Sequence, residues 1–221
     1  MNDLPVSVIL PTRDRASTLI ETLHRLSHQN LAAGDFEIIV VDDGSHPPIH
    51  IIESTNGVKC RVVRLGGAGR SAARNVGAAA AGSNLLVFID DDLTVGPEFL
   101  SYHQRAHREW PGALVVGAIR LGDLVLETPF GKFRDTLEQH EVPIARGLTA
   151  KRNLCTAANM SIDRARFQEL GGFDPALHSA EDQDFALRHT QSGGRIAFIP
   201  EALAIHRDGA IDIRRDRKSV V

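Results

Sequence analysis

With 221 residues and 43% hydrophobic content, the chain can bury a sizeable core, as one α/β domain with an elaborated second half. A formal net charge of -3 excludes a general nucleic-acid binder, whose balance would be basic across the domain. No uninterrupted apolar run approaches the roughly 20 residues of a membrane-spanning helix, and Met1-Asn2-Asp3 is unlike the basic start of a signal peptide, so a cytoplasmic protein is expected.

The first element is the apolar run Val6-Ser7-Val8-Ile9-Leu10, followed at once by Pro11-Thr12-Arg13 and then by Leu19, Ile20, Leu23 and Leu26 at helical spacing. This reads as strand, loop and helix, and the pattern recurs. Residues 36–41 end in Asp42-Asp43-Gly44-Ser45, residues 61–65 end in the loop Gly66-Gly67-Ala68-Gly69, and residues 85–89 end in Asp90-Asp91-Asp92. Strands separated by helical stretches imply an α/β fold with a mainly parallel central sheet flanked by helices. Ligands of such sheets sit beyond the carboxyl ends of the strands. The loops at Thr12, Asp43, Gly69 and Asp92 are therefore expected on one rim.

The acidic triplet carries the most chemistry. Crowded carboxylates at a strand end repel one another and are hard to keep ionised unless positive charge neutralises them. Hard oxygen ligands of this kind suit Mg²⁺ or Mn²⁺, which in turn carry nucleotide phosphates. A solvated acidic turn that begins the helix after Pro97 is the alternative.

Further along, His103 and His107 lie with Tyr102 on a predicted helix and, like His24, read as surface residues, while Trp110 reads as a packing residue. The stretch 123–152, with Pro129, Gly131, Pro143 and Gly147, suits an acceptor loop. Residues 154–161 read as a strand of small residues containing Cys155, and this cysteine and Cys60 read as buried thiols. Glu181-Asp182 opens an amphipathic helix in which Phe185 and Leu187 face inward, and His206 follows the apolar run 196–200. Arg207, Arg214, Arg215, Arg217 and Lys218 make a basic C-terminus. A solvated tail is the default, with contact to a diphosphate or an anionic membrane as alternatives.

Read together, Val8-Ile9-Leu10-Pro11-Thr12-Arg13, Val40-Val41-Asp42-Asp43-Gly44-Ser45 and Phe88-Ile89-Asp90-Asp91-Asp92 resemble the nucleotide-sugar half of a family 2 glycosyltransferase. Gly69 followed by Ala73-Arg74-Asn75-Val76-Gly77, then Gly171-Gly172-Phe173-Asp174 and Glu181-Asp182-Gln183-Asp184-Phe185, match further family segments in order and spacing. Gly67 departs from the pattern, because an Asn is frequent there.

The resemblance implies a glycosyltransferase-A fold over residues 1–221, with a nucleotide-sugar-binding half at 1–95 and an acceptor-binding half at 96–221. It implies a metal-dependent, inverting sugar transfer from a nucleotide-diphosphate sugar, with UDP favoured, to a hydroxyl of a glycan, lipid-linked or small-molecule acceptor. Pro11, Thr12 and Arg13 would flank the nucleotide, Asp43 would accept from the base, and Arg74 would meet the diphosphate or a carboxylate. Asp90 would contact ribose or a metal-bound water, and Asp91 could exchange roles with it. Asp92 and His206 would hold Mn²⁺ or Mg²⁺, Asp182 would be the catalytic base, and Asn159 and Glu181 would touch donor sugar or acceptor. A structural reading stands beside two of these: Asp42-Asp43-Gly44-Ser45 forms an Asx turn readily without a ligand, and Glu181-Asp182 also favours a helix N-terminus.

Two other classes compete. A sugar-phosphate nucleotidyltransferase shares a similar nucleotide-binding half but normally carries a glycine-rich loop after its first strand, where Pro11-Thr12-Arg13 stands here. A catalytically silent nucleotide-binding protein would have no need of the acidic triplet, Asp182 and His206 together.

Overall fold

The computed structural model describes residues 5–51, 54–127, 129, 132, 145–177 and 179–207. Strands β1 (Val6–Thr12), β2 (Phe36–Asp43), β3 (Ser54–Thr55), β4 (Val58–Leu65), β5 (Leu85–Ile89), β6 (Leu93–Val95), β7 (Leu114–Leu121), β8 (Gly147–Thr149), β9 (Asn159–Asp163) and β10 (Ile196–His206) form one sheet. Its order is β3-β4-β2-β1-β5-β9-β7-β10-β6, with β8 paired to β10. The ladders β4-β2-β1-β5 and β7-β10 are parallel, and β9 enters antiparallel between β5 and β7.

Helices cover both faces because the strands alternate their apolar residues between them. Val6, Val8 and Leu10 of β1 join one core cluster with Leu19, Leu23 and Leu26 of α1 (Ala16–Leu26) and with Phe99, Leu100 and Ala106 of α3 (Phe99–Glu109). Ile9 points the other way, into a cluster with Ala73 and Ala78 of α2 (Arg70–Ala80). That second cluster also takes Phe167 of α5 (Arg164–Glu169) and Phe185 of α6 (Glu181–Gln191), and a short helix α4 (Asp123–Leu126) precedes them in the chain. Helix α2 lies so close to the sheet that a Cβ on Gly77 would stand 2.5 Å from Ile9 Cγ2 and 3.1 Å from Val41 Cγ2, so the glycine is a packing requirement.

The carboxyl ends of β4, β2, β1 and β5 do share one rim, joined by contacts between their loops. Ser45 Oγ accepts from the Asp14 backbone N–H, and Asp14 accepts from that of His46. Thr12 Oγ1 donates to Asp91 at 2.5 Å.

The segment expected as one strand from Leu154 is different. It opens with a 3-10 turn at Arg152–Leu154, and β9 begins only at Asn159. Its polar groups are the reason. Asp182 takes the Ala157 N–H, and Thr156 takes those of Ala158 and Asn159, so the backbone is satisfied locally and does not join the ladder. Phe185 is fully buried as expected, whereas Leu187 is half-buried. Cys60 and Cys155 are buried free thiols, and Trp110 packs on the first core cluster beneath the Arg146 guanidinium. Among the described residues, no helix is long and apolar enough to cross a membrane.

Candidate active site

A cavity of about 460 Å³ opens beside the end of β5. Asp90, Arg70, Arg74, His206, Glu181 and Asp182 line it with charged and polar groups, and Gly117, Ala118, Ile119, Leu121, Leu154 and Phe198 supply its apolar lining. Strand β5 delivers Asp90, the end of β10 delivers His206, and the first turn of α6 delivers Asp182. That helix starts from Ala180 at φ +60, a left-handed conformation that costs a non-glycine residue on the order of 1 kcal/mol. Such strain persists where surrounding structure demands it, and here it aims the first turn at the cavity.

Asp182 accepts from the backbone N–H of Ala157 at 3.2 Å and of Gln183 at 2.8 Å. Burial raises its pKa above the ordinary carboxylate range, with the neighbouring Glu181 charge adding to it. Asp90 is driven the other way. Burial alone would push it up, but the Arg74 guanidinium, 2.7 Å from its Oδ1, holds it below the usual range.

The three acids of the triplet have separate fates. Asp91 turns inward, where Thr12 and Arg15 bind it and burial pushes its pKa up to about 6. Neither it nor Asp92 is among the residues lining the cavity, whereas Asp90 is. Asp92 is 4% exposed; its Oδ2 lies 2.7 Å from Arg15 Nη1 and its Oδ1 lies 3.5 Å from His206 Nε2. That Oδ1 is buried with no hydrogen-bond partner among the described residues. A divalent cation fits there, because Asp92 Oδ1 and His206 Nε2 converge and Mg²⁺ or Mn²⁺ commonly takes only one or two protein ligands beside phosphate and water oxygens. No cluster of three or more metal-ligating side chains occurs among the described residues.

Arg74 is 2% exposed, and its two terminal nitrogens reach Glu181 Oε1 at 2.6 Å and Asp90 Oδ1 at 2.7 Å. It is the buried tie between these carboxylates, the carboxylate contact of its two expected partners, and Glu181 is engaged accordingly. Asn159 is fully buried at the start of β9. Its Oδ1 accepts from His103 Nε2 while its Nδ2 donates to the carbonyls of Ala118 and Ala202, so it braces the backbone beside the cavity wall.

His103 and His107 are likewise buried, not surface residues, because both rings bond Ser161 Oγ. Burial pushes their pKa values down to about 3 and about 4, so both rings are neutral. Asp42 makes the turn after β2, with its carboxylate accepting from Ser45 and Ile49 N–H. Asp43, the acid expected at the base, accepts from Ala68 at 2.7 Å and Gly69 at 2.8 Å and so pins the glycine-rich loop. Pro11 is buried within β1, and Arg13 is exposed beside Gly67.

Arg15 is the site residue that sequence reasoning missed. Its signal was its place just before the helix that follows the Pro11-Thr12 loop, a position that returns a side chain to the strand ends. Thr22 was missed too; its hydroxyl bonds the Asp91 and Leu93 carbonyls, and Arg207 bonds it in turn. The basic positions Arg214, Arg215, Arg217 and Lys218, and residues 133–144 of the expected acceptor loop, lie outside the described residues.

The chain is 30% identical to a pre-mycofactocin glycosyltransferase of Mycobacterium tuberculosis over 210 residues, covering 91% of this chain and 42% of that protein. It is 28% identical to an uncharacterized glycosyltransferase of Haemophilus influenzae, covering 84% of this chain and 62% of the relative. The chain thus spans less than two thirds of these relatives. Among solved structures, S. aureus TarS in complex with UDP superposes with a TM-score of 0.71 at 20% identity, over 91% of this chain and 60% of that one. The Pyrobaculum calidifontis mannosyltransferase PcManGT, in complex with GDP-Man and Mn²⁺, gives 0.70 at 19% identity, over 94% and 58%. These likenesses place the fold in the glycosyltransferase-A class. The family described as Glycosyl transferase family 2 matches residues 7–161, and with the rim, acidic turn and cavity arranged as above the chain belongs to that family.

Proposed function

We propose that this chain catalyses inverting transfer of a sugar from a nucleotide-diphosphate donor, with UDP-sugar preferred, to an acceptor hydroxyl. The observation that carries the reading is Asp182, a carboxylate of raised pKa that lines the same cavity as Asp90 and His206. Inversion by single displacement needs one base and no carboxylate nucleophile. The acceptor oxygen forms its bond to the anomeric carbon, the bond to the diphosphate breaks on the opposite side, and the acceptor proton passes to Asp182. A raised pKa makes Asp182 a better proton acceptor, and general base catalysis contributes typically about 10² to 10⁴-fold.

Asp92 Oδ1 and His206 Nε2 would hold Mn²⁺ or Mg²⁺, with Asp90 nearby for ribose or a water. When bound, such an ion supplies Lewis-acid neutralisation of the departing diphosphate. The relatives' names support the reaction class, TarS bound to UDP or UDP-GlcNAc supports the donor type, and PcManGT with Mn²⁺ supports the ion. Asp43 can serve the base only if the Ala68 and Gly69 amides share or release it. The basic C-terminus offers a peripheral contact for a lipid-linked acceptor. A nucleotidyltransferase is disfavoured by Pro11-Thr12-Arg13 at the first loop.

The deciding test is product release from UDP-sugars and GDP-sugars with Asp182→Asn alongside. Release of nucleoside diphosphate, reduced at least about 100-fold in the variant with donor binding intact, is expected. Pyrophosphate as product, or near-normal turnover by the variant, would overturn the reading.

A further inference from the structure

The acidic turn is countered in part by a cation of the protein itself. Arg15, the residue that caps α1 at its N-terminus, places Nη1 2.9 Å from Asp91 Oδ1 and 2.7 Å from Asp92 Oδ2. Helix α1 is tied to the same turn at a second point, where Thr22 Oγ1 donates to the Asp91 carbonyl at 2.8 Å and the Leu93 carbonyl at 3.1 Å. From the far side, the Arg207 backbone N–H donates to the Asp92 carbonyl at 2.9 Å. The guanidinium is therefore delivered to the two carboxylates by backbone that is itself fixed to their turn.

One oxygen of Asp92 thus faces a cation that belongs to the chain, and only Oδ1 is left toward His206. A divalent ion entering at Oδ1 would approach a carboxylate whose charge is already offset in part by the guanidinium it shares with Asp91. Like charges a few ångströms apart in a half-buried site repel with little screening by salt. A diphosphate brings the negative charge that the site lacks.

We propose that Arg15 is a built-in counter-cation that keeps the acidic turn from capturing a bare divalent ion and makes metal uptake depend on a nucleotide diphosphate. This rests on the donor and metal reading above, and it gives Arg15 a positioning role exerted through Asp92. The test is Mn²⁺ titration, followed by the electron paramagnetic resonance signal of the free ion, alone and with UDP or GDP. The proteins compared are the wild type, Arg15→Gln, Arg15→Met, Arg15→Lys and the double variant Arg15→Gln/Asp92→Ala.

The wild type is expected to bind Mn²⁺ at least about tenfold tighter with one of the two diphosphates than without. Removing the charge in Arg15→Gln and Arg15→Met should tighten binding of bare Mn²⁺ at least about tenfold and shrink the diphosphate effect. Arg15→Lys should stay within about threefold of wild type, and adding Asp92→Ala should abolish the gain. A purely structural role would lower the melting temperature without tightening metal binding. Bare Mn²⁺ binding in Arg15→Gln no tighter than wild type would overturn the inference while leaving the metal site intact. Absence of Mn²⁺ binding to the wild type with either diphosphate would instead remove the metal reading, and this inference with it.

Discussion

Arg74 Nη1 donates to Glu181 Oε1 across 2.6 Å, a bond between residues 107 apart in sequence. Because Arg74 also bonds Asp90, one buried guanidinium joins the end of β5 to the first turn of α6, both of which line the cavity. Removing one partner of a buried ion pair strands the others, at a cost of about 3–5 kcal/mol. Arg74→Met is therefore expected to lose about that much stability in urea denaturation. An exposed pair would lose less than about 1 kcal/mol, and a loss that small would refute the tie.

The buried histidines predict a pH effect with a definite sign. His103 and His107 are neutral in the fold, with pKa values of about 3 and about 4, whereas an unfolded histidine titrates near 6.5. Their contribution is complete above the unfolded value and falls away as pH drops below it, because the unfolded chain takes up protons that the fold excludes. Asp91, raised to about 6, works in the opposite direction by binding a proton in the fold. The histidine contribution is therefore read as a difference. His107→Gln, whose amide can still donate to Ser161 Oγ, should lose about 1.4 kcal/mol less than wild type between pH 7.5 and 5.5. Parallel losses in the two proteins would show that His107 is not held neutral.

Chelation should leave the fold standing. Arg15 and Arg74 already offset part of the charge of the acidic turn and hold its carboxylates in place. Unlike a structural zinc domain, which unfolds without its ion, this protein should keep its melting temperature within about 1 °C when EDTA is added to nucleotide-free enzyme. A fall of several degrees would mean that the turn depends on a metal for its structure.

The alternating apolar runs at β1, β2 and β5 set strand register and the two-faced core, because side-chain period alone decides which residues point to which layer. The loops they deliver to a common rim follow from parallel topology, and Gly77 in its family segment follows from the contact of α2 with Ile9. What the sequence could not supply was the partnering of charge. Three adjacent acids demand a cation, and beside the metal that the sequence leads one to expect, the fold supplies Arg15 and Arg74, at lower positions in the chain. Asn159, His103 and His107 carried no mark of burial, because amphipathic spacing does not say which polar residues will find partners behind a sheet. Periodicity determined the layers and the rim; only the tertiary structure decided which carboxylates were already paired. Charge pairing depends on contacts between residues far apart in sequence, and a burial pattern does not encode them.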